Sequence, residues 1–209
     1  MKLGKLFYTR GGRALSKGFF KEGPICCQLL GLCSALAVSN KVENALAMGL
    51  GVLFVLILSS LAVSLLRRFI PSRYRIITYM IIISTLVIFV DQFFRAYFPR
   101  ISKQLGPYVA LIITNCIIMG RQEAFAIKNP PHYSVLDAIG NGLHYTYSLV
   151  IIAMVREVLA FGTLLNFPVL PKDFQRWVVM AMAPGAFFLF ALYLWIYRNF
   201  ARLQPERER

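Results

Sequence analysis

The chain has 209 residues, 58% of them hydrophobic and only 15% charged, with a mean hydropathy of +0.62. These proportions exclude a soluble domain of this size and place the chain among integral membrane proteins. The formal net charge of +14 does not signify a nucleic-acid partner, because the basic residues gather in tails and short loops rather than on a face interleaved with aromatics.

Residues 1–22 form a basic tail (Lys2, Lys5, Arg10, Arg13, Lys17, Lys21) with no uninterrupted apolar run and no small-residue cleavage site, so it is expected to stay on the protein. A membrane domain over residues 23–200 follows, with six apolar stretches near residues 24–40, 43–66, 74–97, 104–120, 136–160 and 177–198, and a charged tail over 201–209 closes the chain. Four stretches are long enough to span a bilayer with ease; the first and fourth are shorter. Those two share a phrase. Gly23-Pro24 precedes Cys33, and Gly106-Pro107 precedes Cys116 at the same distance. A proline at the first turn marks a helix start, and a residue nine places later lies roughly 13 to 14 Å along the helix, close to the bilayer centre. Gly31 and Ser34 near Cys33, and Thr114, Asn115 and Gly120 near Cys116, predict helices broken at mid-membrane.

Positive residues predict the orientation. With the N-terminus in the cytoplasm, sixteen lysines and arginines fall inside, Arg67, Arg68, Arg73, Arg75, Arg121 and Lys128 among them. Six fall outside: Lys41, Arg95, Arg100, Lys103, Lys172 and Arg176. Both termini are therefore expected in the cytoplasm. The cysteine segments then enter from opposite faces, giving two inverted three-helix repeats over about residues 23–100 and 106–198.

Two thiols at membrane mid-depth admit several chemistries. Four thiolates hold an iron-sulfur cluster, of which this pair offers two, so a partner chain would supply the others. Structural zinc accepts the same ligands, a disulfide between Cys33 and Cys116 is conceivable, and cysteine also serves as a small soft hydrophobe. Cys26 and Cys27 have no counterparts at Tyr108 and Val109, so they read as packing residues.

Three longer stretches carry a resemblance: LGLCSALAV from Leu30, VDQFFRAYFPRISKQL from Val90 and LIITNCIIMGRQEAFA from Leu111. With IGNGL at Ile139, the Arg156-Glu157 pair and APGAFF at Ala183, they resemble the family of D-type subunits of sodium-translocating NADH:quinone oxidoreductases and the related E-type subunits of Rnf complexes. The Rnf subunits typically read CPLLAV where this chain has CSALAV from Cys33, which favours the D type. The alternatives are an E-type subunit of an Rnf ferredoxin:NAD oxidoreductase, or an inverted-repeat ion-transport subunit without a redox role.

The resemblance implies a six-helix, multi-pass subunit of the bacterial inner membrane, paired with a homologous E-type subunit inside the larger complex. It implies a [2Fe-2S] cluster shared between the two, with Cys33 and Cys116 as two of its four ligands. NADH, flavins and quinone would bind elsewhere in the complex, and no catalysis is expected of the chain alone; it contains no Gly-rich phosphate loop. Ser34 and Asn115 are candidate donors around such an anionic group, their alternative role being hydrogen bonding between helices. The family usually reads NGLGYG where this chain has NGLHYT from Asn141, and alanine where this chain has Gln122; the loop 167–177 is short for it.

Charged residues in the spans read as structural. Asp91 is expected to pair with Arg95 one turn on, and Arg156 and Glu157 to need separate partners, by interfacial snorkelling or contact with another subunit. His132 and His144 read as loop or interface residues rather than a metal pair.

Overall fold

The computed structural model describes residues 29–97, 106, 108, 110–164, 167–168, 179 and 182–201. Within them six α-helices occur: α1 (Leu32–Val38), α2 (Val42–Leu66), α3 (Arg75–Tyr97), α4 (Cys116–Arg121), α5 (Pro131–Phe161) and α6 (Ala183–Ala201). Residues 110–113 are also helical. A 3-10 turn at Ser72–Tyr74 leads into α3, and α4 runs on into a π-helical turn at Gln122–Ala126. The small exception to helix is an antiparallel pairing of Thr163–Leu164 with Phe167–Pro168.

Among the described residues, three helices are long and apolar enough to cross a membrane: Val42–Leu66, Arg75–Tyr97 and Pro131–Ala160. The first two match the predicted stretches to within a residue. The fifth starts five residues earlier than expected, because Pro131 sits in its first turn, where a missing amide proton costs nothing and the fixed φ favours helix. Gly162, in the left-handed conformation at φ 68°, stops it, and its amide closes on the Val158 carbonyl at 3.0 Å.

The core is organised around α2 and α5, which pack most extensively together. Small residues set their separation. A Cβ on Gly49 would come within 2.6 Å of Thr146 Cγ2, and one on Gly142 within 2.4 Å of Leu53 Cδ1. Close approach at such positions lets dispersion and hydrogen bonding hold membrane helices together where lipid provides no hydrophobic drive. Thr146 is thus matched by a glycine across the interface. Helix α3 shows the other solution: Tyr79, Ile83, Val87 and Val90 form a buried stripe at helical spacing, while Ile76, Ile77, Ile81 and Ile88 face outward as apolar exposed surface. Short α1 lies against α2 and α6.

Candidate functional site

Both cysteines sit at the start of a short helix that follows non-helical backbone. Cys33 is the second residue of α1, preceded by Leu29 and Gly31 at φ 54° and 85°. Cys116 is the first residue of α4; before it, helical residues 110–113 give way to a turn at Thr114 and an extended Asn115 at φ −69°, ψ 116°. Asn115 starts the new helix by accepting the Ile117 amide on its side-chain oxygen at 3.2 Å, as an N-cap asparagine does. Gly31 tolerates its left-handed conformation because it lacks a Cβ. Space demands the same residue, since a Cβ there would lie 2.6 Å from Ile117 Cδ1 and 3.1 Å from Tyr145 Cε2.

The two helix starts meet. The Gly31 amide donates to Cys116 Sγ at 2.8 Å across 85 residues of sequence, and the two thiols are close enough to interact directly. Both are free; Cys33 is exposed and Cys116 half-buried. The pair therefore opens onto the surface of this chain rather than into its core.

Beneath the thiols lies a buried hydroxyl-amide network. Ser34 Oγ donates to the Gly31 carbonyl at 3.0 Å, lies 2.6 Å from the Tyr145 hydroxyl and receives Asn115 Nδ2 at 3.4 Å. Ser34 and Asn115 thus bind one another and the backbone at the two breaks, and the hydrogen bond found at a sulfur comes from the backbone of Gly31. Tyr145 was not singled out in the sequence, where a tyrosine in an apolar stretch is unremarkable; its place opposite Ser34, 111 residues away, carries no local signal.

Arg156 and Glu157 have separate partners, as their adjacency predicts, but they neither snorkel nor point to another subunit. Arg156 donates to the Leu36 carbonyl at 3.1 Å, Ser39 Oγ at 2.8 Å and the Met182 carbonyl at 3.3 Å. Glu157 accepts the Val42 amide at 2.8 Å. The cation therefore sits at the carbonyl end of α1 and the anion at the amide end of α2, each at the favourable pole of a helix dipole. Together they hold the corner that carries the Cys33 helix. Both are buried, which is why burial among backbone groups, and not water at an interface, satisfies them.

Asp91 and Arg95 pair at 2.9 Å, as the one-turn spacing predicts. Arg121, counted with the cytoplasmic basic residues, is instead buried in a two-point ion pair with Asp137: Nε to Oδ2 at 3.0 Å, and Nη2 to Oδ1. The signal for Asp137 was an acidic residue inside an apolar stretch. Gln122 follows Arg121, fully buried, with neither amide atom hydrogen-bonded among the described residues. His144 is not a loop residue; it is buried in mid-α5, its ring edge-on to Tyr197 with centroids 5.9 Å apart. His132 is exposed in the first turn of α5, beside Tyr133.

Cys26, Cys27, both prolines of the repeated phrase, Arg100, Lys103, Lys172, Arg176 and the two tails lie outside the described residues. Among the described residues no three or more histidines, cysteines or acids converge, so the thiol pair is the ligand set to be weighed. Two soft thiols joined at a surface, one already receiving an amide hydrogen bond, suit half of a four-thiolate iron-sulfur site, because hydrogen bonds to sulfur offset its negative charge.

Over residues 13–194 the chain matches the family described as "Rnf-Nqr subunit, membrane protein". It is 47% identical over 201 residues to the D subunit of the Na(+)-translocating NADH-quinone reductase of Yersinia enterocolitica, covering 94% of this chain and 96% of that one. The corresponding D subunit of Psychromonas ingrahamii is 46% identical over 197 residues, covering 92% and 94% of the two chains. That of Serratia proteamaculans is 46% identical over 201 residues, covering 94% and 96%.

Proposed function

Because this chain belongs to the Rnf-Nqr family of membrane subunits, we propose that it is the D-type subunit of a sodium-translocating NADH:quinone oxidoreductase and takes part in electron transfer within the membrane. Its Cys33 and Cys116 supply two of the four thiolates of a [2Fe-2S] cluster, and a homologous E-type subunit supplies the other two. The observation that carries this reading is the meeting of the two helix starts, which brings both thiols together at the surface with the Gly31 amide aimed at Cys116 Sγ. The exposure of Cys33 supports a partner chain opposite it. The architecture proposed is six membrane spans in two inverted three-helix repeats, with both termini in the cytoplasm of the bacterial cell. It is supported by the helix break before Cys116 and by the distribution of basic residues.

When bound, such a cluster accepts and returns one electron without proton chemistry. This chain's residues hold it and set its surroundings. Cys33 and Cys116 are the ligands; the Gly31 amide donates to one of them and so favours added negative charge; Asn115 starts the helix whose first residue is Cys116. Arg156 and Glu157 fix the α1–α2 corner, so that the Cys33 helix keeps its place against α5. NADH, flavins and quinone bind elsewhere in the complex.

The test is iron analysis and EPR on the anaerobically purified complex, reduced with dithionite, beside Cys33→Ala and Cys116→Ala. Each variant is expected to lose one [2Fe-2S] signal and NADH-to-quinone transfer. Assembled variants that kept all iron and full transfer would overturn the reading and leave an ion-transport subunit without a redox role.

A further inference from the structure

Ser34 Oγ carries a single proton, and that proton is directed at the Gly31 carbonyl 3.0 Å away. With the Ser34 proton on that carbonyl, Tyr145 is the donor across the 2.6 Å contact between the two hydroxyls. The resulting chain runs from the Tyr145 hydroxyl to Ser34, and from Ser34 to the carbonyl of the same residue whose amide donates to Cys116 Sγ. The tyrosine ring also stands on the side-chain face of Gly31, 3.1 Å from where a Cβ would be. Asn115 enters the network from the other side, with its amide nitrogen on Ser34 Oγ at 3.4 Å and its oxygen on the first turn of the Cys116 helix. Tyr145, Ser34 and Asn115 are all fully buried, so water does not compete for these bonds. Tyr145 thus belongs to α5, yet fixes the turn before Cys33 relative to the turn before Cys116.

We propose that Tyr145 is a positioning residue for the thiol pair: its hydroxyl, acting through Ser34, holds the Gly31 amide on Cys116 Sγ and so tunes the redox group that the cysteines bind. The proposal rests on the reading that Cys33 and Cys116 hold a [2Fe-2S] cluster. A hydrogen bond to a ligand sulfur favours the reduced, more negatively charged state. Loosening that bond lowers the midpoint potential.

The experiment is an EPR-monitored redox titration of the intact complex carrying Tyr145→Phe, Ser34→Ala, both together, or Tyr193→Phe. Tyr193, on α6, is the control: its hydroxyl donates to Ser148 Oγ on α5 at 3.0 Å, a half-buried tyrosine–serine bond of the same kind that does not involve Ser34. Tyr145→Phe is expected to retain iron and signal amplitude while the potential falls and the g-values shift. Ser34→Ala shifts the potential in the same direction, and the double variant shifts it no further than the larger single effect, as members of one chain must. Tyr193→Phe leaves the potential in place. The proposal is overturned if Tyr145→Phe keeps the wild-type potential, or if the Tyr145 and Ser34 effects add in full. Should Tyr145→Phe fail to assemble, an unshifted potential in Ser34→Ala overturns it equally. A signal that survives Cys33→Ala and Cys116→Ala removes the cluster reading itself, a failure distinct from these.

Discussion

Replacing Gly31 with alanine tests the junction of the two cysteine segments directly. At φ 85° an L-residue is disfavoured by about 1–2 kcal/mol. The added Cβ would stand 2.6 Å from Ile117 Cδ1 and 3.1 Å from both Ile117 Cγ1 and Tyr145 Cε2, and overpacking of that kind costs about 1–3 kcal/mol. A less flexible unfolded chain returns up to about 1 kcal/mol. The net loss is about 3 kcal/mol, a large part of the stability of a marginal domain. Relief of the clash pushes Gly31 away from Ile117, and with it the amide that donates to Cys116 Sγ. Denaturation of the purified complex gives the stability, and EPR in the same sample reports the site. Ile117→Val removes the closest offending atom and costs about 1 kcal/mol by itself, so in the Gly31→Ala background it should restore part of the loss, leaving the backbone share. Gly31→Ala with stability within about 0.5 kcal/mol of wild type and an unchanged spectrum would refute the reasoning.

Asp137→Asn should destabilise the protein by about 3–5 kcal/mol, because it strands a buried Arg121 guanidinium; Asp137→Leu with Arg121→Met should recover most of that in the same denaturation assay. Arg156→Met removes the donors to Leu36, Ser39 and Met182 and should cost about 3 kcal/mol, with faster amide hydrogen exchange concentrated between residues 36 and 42. At the α2–α5 contact, Gly49→Ala should cost about 1–3 kcal/mol through its collision with Thr146. A Thr146→Gly change, itself unfavourable within a helix, should reduce the cost of Gly49→Ala in a double-mutant cycle, and strictly additive effects would rule the contact out.

The sequence by itself determined whatever rests on partition and on near neighbours along the chain. Apolar runs of bilayer length set α2 and α3 to within a residue, since removing apolar side chains from water is decided by composition and length. The Asp91–Arg95 pair was legible because one helical turn brings residues four apart together whatever else the protein does. The break before Cys116 was legible from the polar residues beside it, and the turn before Cys33 from Gly31. The longer fifth helix was missed by a turn, because its opening residues are not apolar and only Pro131 marks the start.

Only the tertiary structure decided which groups those breaks face. Gly31 and Cys116 are 85 residues apart, Ser34 and Tyr145 are 111 apart, and Arg156 reaches back 120 residues to the Leu36 carbonyl. An arginine, a tyrosine or an aspartate in an apolar helix announces that it needs a partner. Which partner depends on how α1, α4 and α5 pack, and so Arg156 proved to be a cap for α1, Asp137 the counter-ion of Arg121, and His144 a core residue. Residue type and local spacing record the cost of burying a polar group; the group that offsets this cost is chosen by helix packing, which no local pattern along the chain contains.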